Sequence, residues 1–494
     1  MTRANADAND RSITTGSDFL QLDAGEAPRG GRAAWLAGRL RTAIADGRLP
    51  VGSTLPATRV LAAELRVSRG VVTEAYLRLG EEGLIAGRGR NGTAVVATPA
   101  GVPFTPPGGT AAPTTRDLFD LAPGPEIFDA MRTATARFDL SPGLPDLAAF
   151  PRAAWLRAER GVLNGLEPSD LGYGDPRGTP ALRRAVASWL ARNRGIVADP
   201  AGVIVVAGVA QALTLLAQVL RDTGLTAVAV EDPGSLGARQ VLQAWGLDTP
   251  PVAVDAGGLR VDALRDSGCA AVMVTPAHHF PTGVVLDGER RRGLAEWAEA
   301  GGLVIEDDYD AEHRYDRPPV PALRSMLAEQ VCYAGSVSKL LAPALRIGWV
   351  LLPGRLRDAF VEAKRNADLG NAALPQLVLA DVMESGALER HLRLLRRRHV
   401  RRRDAMIAAL REQLPDAVVH GAAAGLHLMI TLPTETPDAE LAAAAMRYGV
   451  KAHPLSWHRQ RPGPSGLVLG YAASPPSDLE SGIAALAAAV RPLL

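Results

Sequence analysis

Two hydrophobic periods divide this chain. Between residues 33 and 97, apolar positions recur at the spacing of short helices. From about Arg137 onward, short continuous apolar runs alternate with longer helix-period stretches. In the first region Trp35, Leu36, Leu40 and Ile44 predict a helix over 33–46. Gly52–Pro56 reads as a turn. Thr58 is the expected N-cap of a short helix reaching Leu65, and Ser68 that of the next, with Val71, Val72, Ala75 and Leu79 inward and Gly83 as C-cap. The run LIAGRGRNGTAVV alternates around glycines as a small β-hairpin does. In the second region VIVVAG, LTAVAVEDPG, CAAVMVTP, GLVIEDDYD and VCYAGSVSK read as strands between helices, which predicts a mostly parallel α/β sheet.

The stretch Ala201–Leu220 carries no charge over 20 residues, a length that can span a membrane. It reads better as a buried strand over Val203–Val206, a tight turn over Ala207–Val209 and a packed helix over Gln211–Leu220. Residues 98–136 are rich in Pro, Gly, Ala and Thr and read as a semi-extended linker. Residues 1–29 are polar and mixed in charge, lack the apolar core of a signal peptide, and read as a disordered tail. The expected organisation is therefore a tail (1–29), a helical unit (30–97), a linker (98–136) and a large α/β domain (137–494).

Composition adds little until it is localised. The chain has 494 residues, 47% of them hydrophobic and 4% aromatic, enough for a large aliphatic core and too long for one typical domain. Net charge is +1, which is no polyanion-binding balance. Within 30–97, however, ten Arg stand against five Asp and Glu. Local charge is the footprint of nucleic-acid binding. Two short helices, a tight turn and a hairpin describe a winged helix-turn-helix, whose second helix enters the major groove. Arg69 and Thr73 lie one turn apart on the expected outward face of that helix, with Ser68 at its start, so they are candidate base contacts; Arg59, Arg88 and Arg90 are candidate phosphate or minor-groove contacts. Tyr76 either touches phosphate or packs on the first helix. Cys269 and Cys332 have no metal-type spacing and imply no disulfide framework, in keeping with a cytoplasmic protein. The pair His278 and His279 lacks convergent Cys or acidic spacing, so no metal site is expected and a turn role is read. Eight arginines crowd residues 390–403 and are read as a solvated helix face over Leu392, Leu395 and Val400 rather than a second DNA contact.

The chemistry concentrates in GSVSKLLAPALRIGW. Lys339 follows two serines and precedes Arg346, which suits a Schiff-base lysine beside a phosphate clamp. Ser336 and Ser338 offer hydroxyls to phosphate oxygens, and Arg346 offers a bidentate pair. Lysine amines form Schiff bases with pyridoxal 5'-phosphate (PLP), an electron sink. Asp307 ends a predicted strand, where a carboxylate can hold a pyridine nitrogen protonated, and Tyr309 can donate to the cofactor's phenolic oxygen. The turn at Gly208 and Val209 opens a helix after a strand, a natural phosphate site through backbone N–H groups. Tyr173 precedes another helix and can face a phosphate.

These stretches resemble known families. GRLPVGSTLPATRVLAAELRVSRGVVTEAYLRLGEEGLIAGRGRNGTAVV is similar to the GntR-family winged helix-turn-helix. FDLSPGLPDLAAFPRAAW, YGDPRGTPALRRAVASWLARNRG, TPAHHFPTG, IEDDYDAEHRY and GSVSKLLAPALRIGWVLLP resemble the MocR/GabR-type regulators, which join such a unit to a fold-type I aminotransferase-like domain. The resemblance covers about residues 30–494, linker excepted. It implies that Lys339 forms the Schiff base, Asp307 pairs with the pyridinium nitrogen, Tyr309 with the phenolic oxygen, and Ser336, Arg346 and Tyr173 with phosphate, Tyr173 coming from the other subunit of a homodimer. Three departures stand out. Ser235 occupies the place of a ring-stacking aromatic, Phe280 that of an asparagine, and the strand GLVLGYA lacks the arginine that binds a substrate carboxylate. Arg459 and Arg461 are the nearest substitutes. The expected function is a PLP-binding transcriptional regulator of operator DNA that senses PLP, or PLP with an amine or amino acid. The alternative is a working aminotransferase with an appended DNA-binding domain.

Overall fold

The computed structural model describes residues 20, 22–28, 31–87, 92–97, 118–119, 123–315 and 320–494. The chain divides into two compact units, Met1–Ala112 and Pro113–Leu494.

The first unit contains α1 (Arg32–Ala45), β1 (Thr54–Leu55), α2 (Thr58–Glu64), α3 (Arg69–Glu81), β2 (Ile85–Gly87) and β3 (Thr93–Val95). The predicted apolar positions Leu36, Leu40, Ile44, Val72, Ala75 and Leu79 are all buried in one core, where α1 and α2 pack on α3. β2 and β3 pair antiparallel as the wing, and β1 adds a third strand against β3. One capping expectation is corrected: Thr58 is the first residue of α2, behind an N-cap at Ala57. Ser68 occupies the N-cap of α3 as expected, though without a side-chain cap bond. Gly83, at φ +71°, follows the last turn of α3 as expected. The tail reading fails at its C-terminal end: Leu20 is buried in this core, with Leu22 and Ala24 packed beside it.

In the second unit, α4 (Ile127–Thr133) lies in the stretch read as linker. It forms because Ile127 and Met131, one turn apart, both find a buried seat in a core cluster. β4 (Phe138–Asp139), α5 (Arg152–Gly165) and α6 (Pro180–Arg194) lead into an eight-stranded sheet. Its strands are β5 (Val203–Val206), β6 (Ala229–Asp232), β7 (Pro251–Asp255), β8 (Gly258–Leu259), β9 (Ala271–Val274), β10 (Leu303–Asp308), β11 (Val331–Ser336) and β12 (Gly348–Leu351), in the order β5-β12-β11-β10-β9-β6-β7-β8. The pairs β6–β7, β6–β9, β9–β10 and β10–β11 are parallel, while β12 runs antiparallel to both its neighbours. Strand period sorts the side chains. Val203, Val205, Tyr333 and Trp349 face one core, and Ile204, Val206, Cys332 and Ala334 face the other. The helices α7 (Val209–Asp222) and α8 (Leu236–Ala244) cover the second face. After β12 the chain builds a smaller subdomain around a four-stranded sheet that includes His427–Thr431 and Gly466–Gly470.

Candidate functional site

In a mostly parallel sheet, the C-terminal strand ends and the turns that follow them share one edge, where ligands collect. Here that edge carries Ala207–Val209 after β5, Asp307 and Tyr309 at the end of β10, and Ser336–Lys339 after β11. Register aligns them: Val206 pairs with Gly348, Gly348 with Ser336, and Asp307 with Ala334.

Asp307 and Asp308 separate by strand alternation. Asp308 is buried in an ion pair with Arg194 at 2.5 Å and accepts the Tyr333 hydroxyl at 2.6 Å. Glu306, on the same side, accepts the backbone N–H of Leu323 and Arg324. Asp307 faces the other way, and its Oδ1 is buried without a partner. Burial and the neighbouring Asp308 and Asp310 push its carboxyl up to about 7, while Lys339 draws it down. An orphaned, buried acceptor of this kind fits a cationic N–H donor such as a pyridinium. Opposite it, the Lys339 amine donates to the Gly143 carbonyl at 2.5 Å. Burial lowers the Lys339 pKa, and Asp310 and Asp307 oppose that shift. A lowered pKa moves the amine toward the neutral form that a nucleophilic lysine needs. The chain's other two lysines are occupied: Lys364 pairs with Asp368 at 2.6 Å and Lys451 with Asp139 at 3.1 Å.

The turn read as a phosphate site is built from backbone. Gly208, at φ +85°, turns the chain from β5 into α7, whose first N–H groups have no partners within the helix. Arg346 lies over this turn and donates to the Ala207 carbonyl, so that a Cβ on Gly208 would stand 3.2 Å from its guanidinium nitrogens. Gly348 is small for the same reason, since a Cβ there would meet the Gly208 Cα at 3.1 Å. Arg346 itself holds φ +50°, a left-handed conformation that costs a non-glycine residue energy and is tolerated at sites that use it. Ser336 Oγ accepts the Ser338 N–H at 3.3 Å beside the turn. Together these groups set an amine, an acid and a glycine turn covered by an arginine along one edge of the sheet.

The comparisons match both halves. The profile of the bacterial regulatory proteins of the gntR family covers residues 33–95, and that of aminotransferase class I and II covers 138–485. Over 466 residues the chain is 33% identical to the probable rhizopine catabolism regulatory protein MocR of Rhizobium meliloti, covering 91% of this chain and 92% of that one. The chain is a MocR-type transcriptional regulator. It is likewise 32% identical over 444 residues to the pyridoxine biosynthesis transcriptional regulator PdxR of Corynebacterium glutamicum, covering 88% and 90% of the two chains. Among solved structures, the kynurenine aminotransferase of Pyrococcus horikoshii matches with a TM-score of 0.69 at 27% identity, over 75% of this chain and 94% of that one. The regulator therefore carries a DNA-binding unit and a fold-type I aminotransferase domain.

On the regulator's DNA-binding unit, Arg59, Ser68, Arg69 and Thr73 are exposed, and Arg69 Nε donates to the Thr58 hydroxyl at 3.3 Å. Tyr76 is buried, and its hydroxyl donates to the Pro56 carbonyl at 2.8 Å, so its packing role replaces the phosphate contact. Arg88 and Arg90 lie outside the described residues. In the aminotransferase domain Tyr173 is 96% exposed.

The three departures also have structures. Ser235 Oγ caps α8 through the Ala238 N–H at 3.3 Å. Phe280 stands edge-on to Tyr309 and against His427 and His458. Arg459 donates to the Pro464 carbonyl and Arg461 to that of Pro251, so both are engaged. The arginine-rich helix Ala387–Gln413 is only partly a solvated face, because Arg398 and Arg402 bind the buried Asp146.

Sequence reasoning missed Gly143, His278, Asp310 and His427. Gly143 lies in the quoted stretch FDLSPGLPDL but bears no side chain to attract notice. His278 was read as a turn residue. It is buried, with Nδ1 at 2.9 Å from Asp310 Oδ2 and 3.0 Å from the Tyr309 hydroxyl. Ligand atoms of His278, Asp310 and His427 come within 4.8 Å of one another, a convergence that spacing along the chain does not reveal. Since His278 and Asp310 engage each other, we read the group as a hydrogen-bonded relay.

Proposed function

We propose that this regulator senses PLP, alone or together with an amine or amino acid, through its aminotransferase domain, and passes that state to its winged helix-turn-helix. The observation that carries the reading is the orphaned Asp307 carboxylate oxygen at the sheet edge that also carries Lys339, which among the described residues is the one lysine without an ion pair. PLP, when bound, supplies an electron sink and a reactive carbonyl. Lys339 would hold the carbonyl carbon, Asp307 the ring nitrogen, and Tyr309 the phenolic oxygen. Arg346, Ser336, Ser338 and the backbone at Gly208 and Val209 would hold the phosphate. Residues 30–97 and 137–494 are the two working domains on this reading, and the protein acts in the cytoplasm; among the described residues, no helix is long and apolar enough to cross a membrane.

We further propose a homodimer in which Tyr173 of the partner subunit completes each phosphate site; the exposure of Tyr173 in one chain supports this. The sensor reading is favoured over a working aminotransferase by Ser235, Phe280 and the engagement of Arg459 and Arg461. Without a carboxylate clamp, a bound amino acid lacks a fixed geometry, and misplacement alone costs ~100-fold in rate. Borohydride reduction followed by peptide mass spectrometry tests the proposal: the adduct is expected on Lys339. An adduct on Lys364 or Lys451, or none, would overturn it.

A further inference from the structure

We propose that Asp310, acting through His278, keeps the Tyr309 hydroxyl proton available to the phenolic oxygen of PLP. The inference rests on the PLP reading and names a positioning device within that site. His278 Nδ1 has two neighbours, the Asp310 carboxylate at 2.9 Å and the Tyr309 hydroxyl at 3.0 Å. A neutral imidazole carries one N–H, and its tautomer follows from its partners. A carboxylate only accepts, so Asp310 requires the proton to sit on Nδ1. With that proton in place, Nδ1 has no lone pair to offer Tyr309, and the tyrosine must donate elsewhere. The other ring nitrogen, Nε2, is buried without a partner, as an acceptor with nothing to accept. Were Asp310 absent, nothing would hold the proton on Nδ1. A bare Nδ1 at 3.0 Å would then capture the Tyr309 hydroxyl and withdraw it from the cofactor.

The surroundings make this choice consequential. The side chains of His278 and Asp310 are each 1% exposed, so water cannot substitute for either. Phe280 stands edge-on to Tyr309, its ring centroid 6.4 Å away, so no side-chain amide at that position shares the phenolic oxygen. Of the other titratable groups facing the relay, Asp307 and Glu231 titrate close to neutrality, at about 7 and about 8, whereas two histidines stay neutral there. Burial holds His279 and His427 at about 3, and His427 Nε2 faces the Pro281 carbonyl at 3.2 Å. His313, also lowered by burial, has its Nε2 3.2 Å from the Lys339 carbonyl. Burial raises the Tyr309 pKa most; Asp310, which also accepts a hydrogen bond from the Tyr309 hydroxyl, and Asp307 and Glu231 act in the same sense, resisting loss of its proton.

The test is the pH titration of the visible absorbance of the PLP-loaded, full-length protein. A hydroxyl donated to the phenolic oxygen draws electron density from it and weakens the adjacent protonated nitrogen. Losing that donor therefore raises the titration midpoint. Tyr309→Phe should raise the midpoint by on the order of one pH unit, and Asp310→Ala should raise it by less, because that variant also removes a carboxylate that holds the Lys339 nitrogen's pKa up. The double variant should move no further than Tyr309→Phe alone, because the two act through one proton. A wild-type midpoint in Asp310→Ala, or additive shifts in the double variant, would overturn the inference. Nitrogen-15 NMR of the cofactor-free protein supplies a readout that needs no PLP: the Nδ1–H tautomer of His278 is expected, and the Nε2–H tautomer contradicts the proposal even if Asp310→Ala does not fold. Absence of any visible band in the wild type removes the PLP reading itself, whereas a band with an unmoved midpoint removes this inference alone.

Discussion

Asp307 and Asp308 are adjacent in one strand and have opposite fates. Both keep a buried Oδ1 without a partner, but Asp308 is locked through its Oδ2 to Arg194 and Tyr333, while Asp307 faces the other side of the sheet, near Lys339. Removing one member of a buried ion pair leaves the other uncompensated, so Arg194→Met should cost about 3–5 kcal/mol of stability in denaturant titrations. Asp307→Asn should do the reverse. It removes a strained buried carboxylate, so the cofactor-free protein should be no less stable, while PLP affinity falls. A loss of stability equal to that of Arg194→Met would mean that Asp307 is structural. The run EDDYD made an acid at this strand end legible, because the strand period and the following turn are both written in the sequence. Asp307 was the acid named there; that Asp310 would meet a histidine 32 positions away was not legible, since that contact depends on how β9 and β10 pair in the sheet.

At the scale of elements, periodicity served well where a helix or strand buries one face. α1, α3, β5 and α7 fall where the apolar pattern put them. Errors cluster where a few side chains decide: Thr58 sits one residue inside its helix, and α4 is a short helix in a Pro-rich stretch that Ile127 and Met131 pin to a core. On α3, Arg69 and Thr73 project outward while Tyr76 turns in, because three further positions carry the side chain round to the buried face. If Arg69 reads a guanine, Arg69→Ala should cost about 1–3 kcal/mol and relax sequence preference. Arg59→Ala should weaken all duplexes alike and flatten the salt dependence of binding. Fluorescence anisotropy with cognate and scrambled duplexes at several salt concentrations separates the two. Equal, wild-type affinity in both variants would mean that DNA is bound by another face.

Across the whole molecule, buried histidines set the response to acid. Burial lowers eight of them, among them His399 to about 2, His279 and His427 to about 3, and His453 to about 4. The unfolded chain takes up these protons below about pH 6.5 and the folded one does not, so this stability is present above pH 6.5 and is lost as pH falls. Four buried acids act in the opposite sense: Glu231 is raised to about 8, and Glu306, Asp307 and Glu312 to about 7. The histidines outnumber them, so the unfolding free energy from urea titration should fall between pH 6.5 and 5, on the order of a few kcal/mol, and the midpoint with it. A midpoint that rises over that range would mean the acids dominate. If Tyr173 of the partner subunit completes the cofactor site as proposed, sedimentation should give a dimer at micromolar concentration.

The central claim is that occupancy at Lys339 changes affinity for DNA. The most direct measurement is titration of the full-length protein against an operator duplex that it has itself selected from a random pool, with and without PLP, for the wild type and Lys339→Ala. Coupling between sites typically amounts to about 1–3 kcal/mol, so PLP should change the wild-type Kd by roughly 5- to 150-fold. Lys339→Ala should bind the same duplex with no response to PLP. An identical wild-type Kd with and without PLP, in protein shown to carry the borohydride adduct on Lys339, would contradict the account.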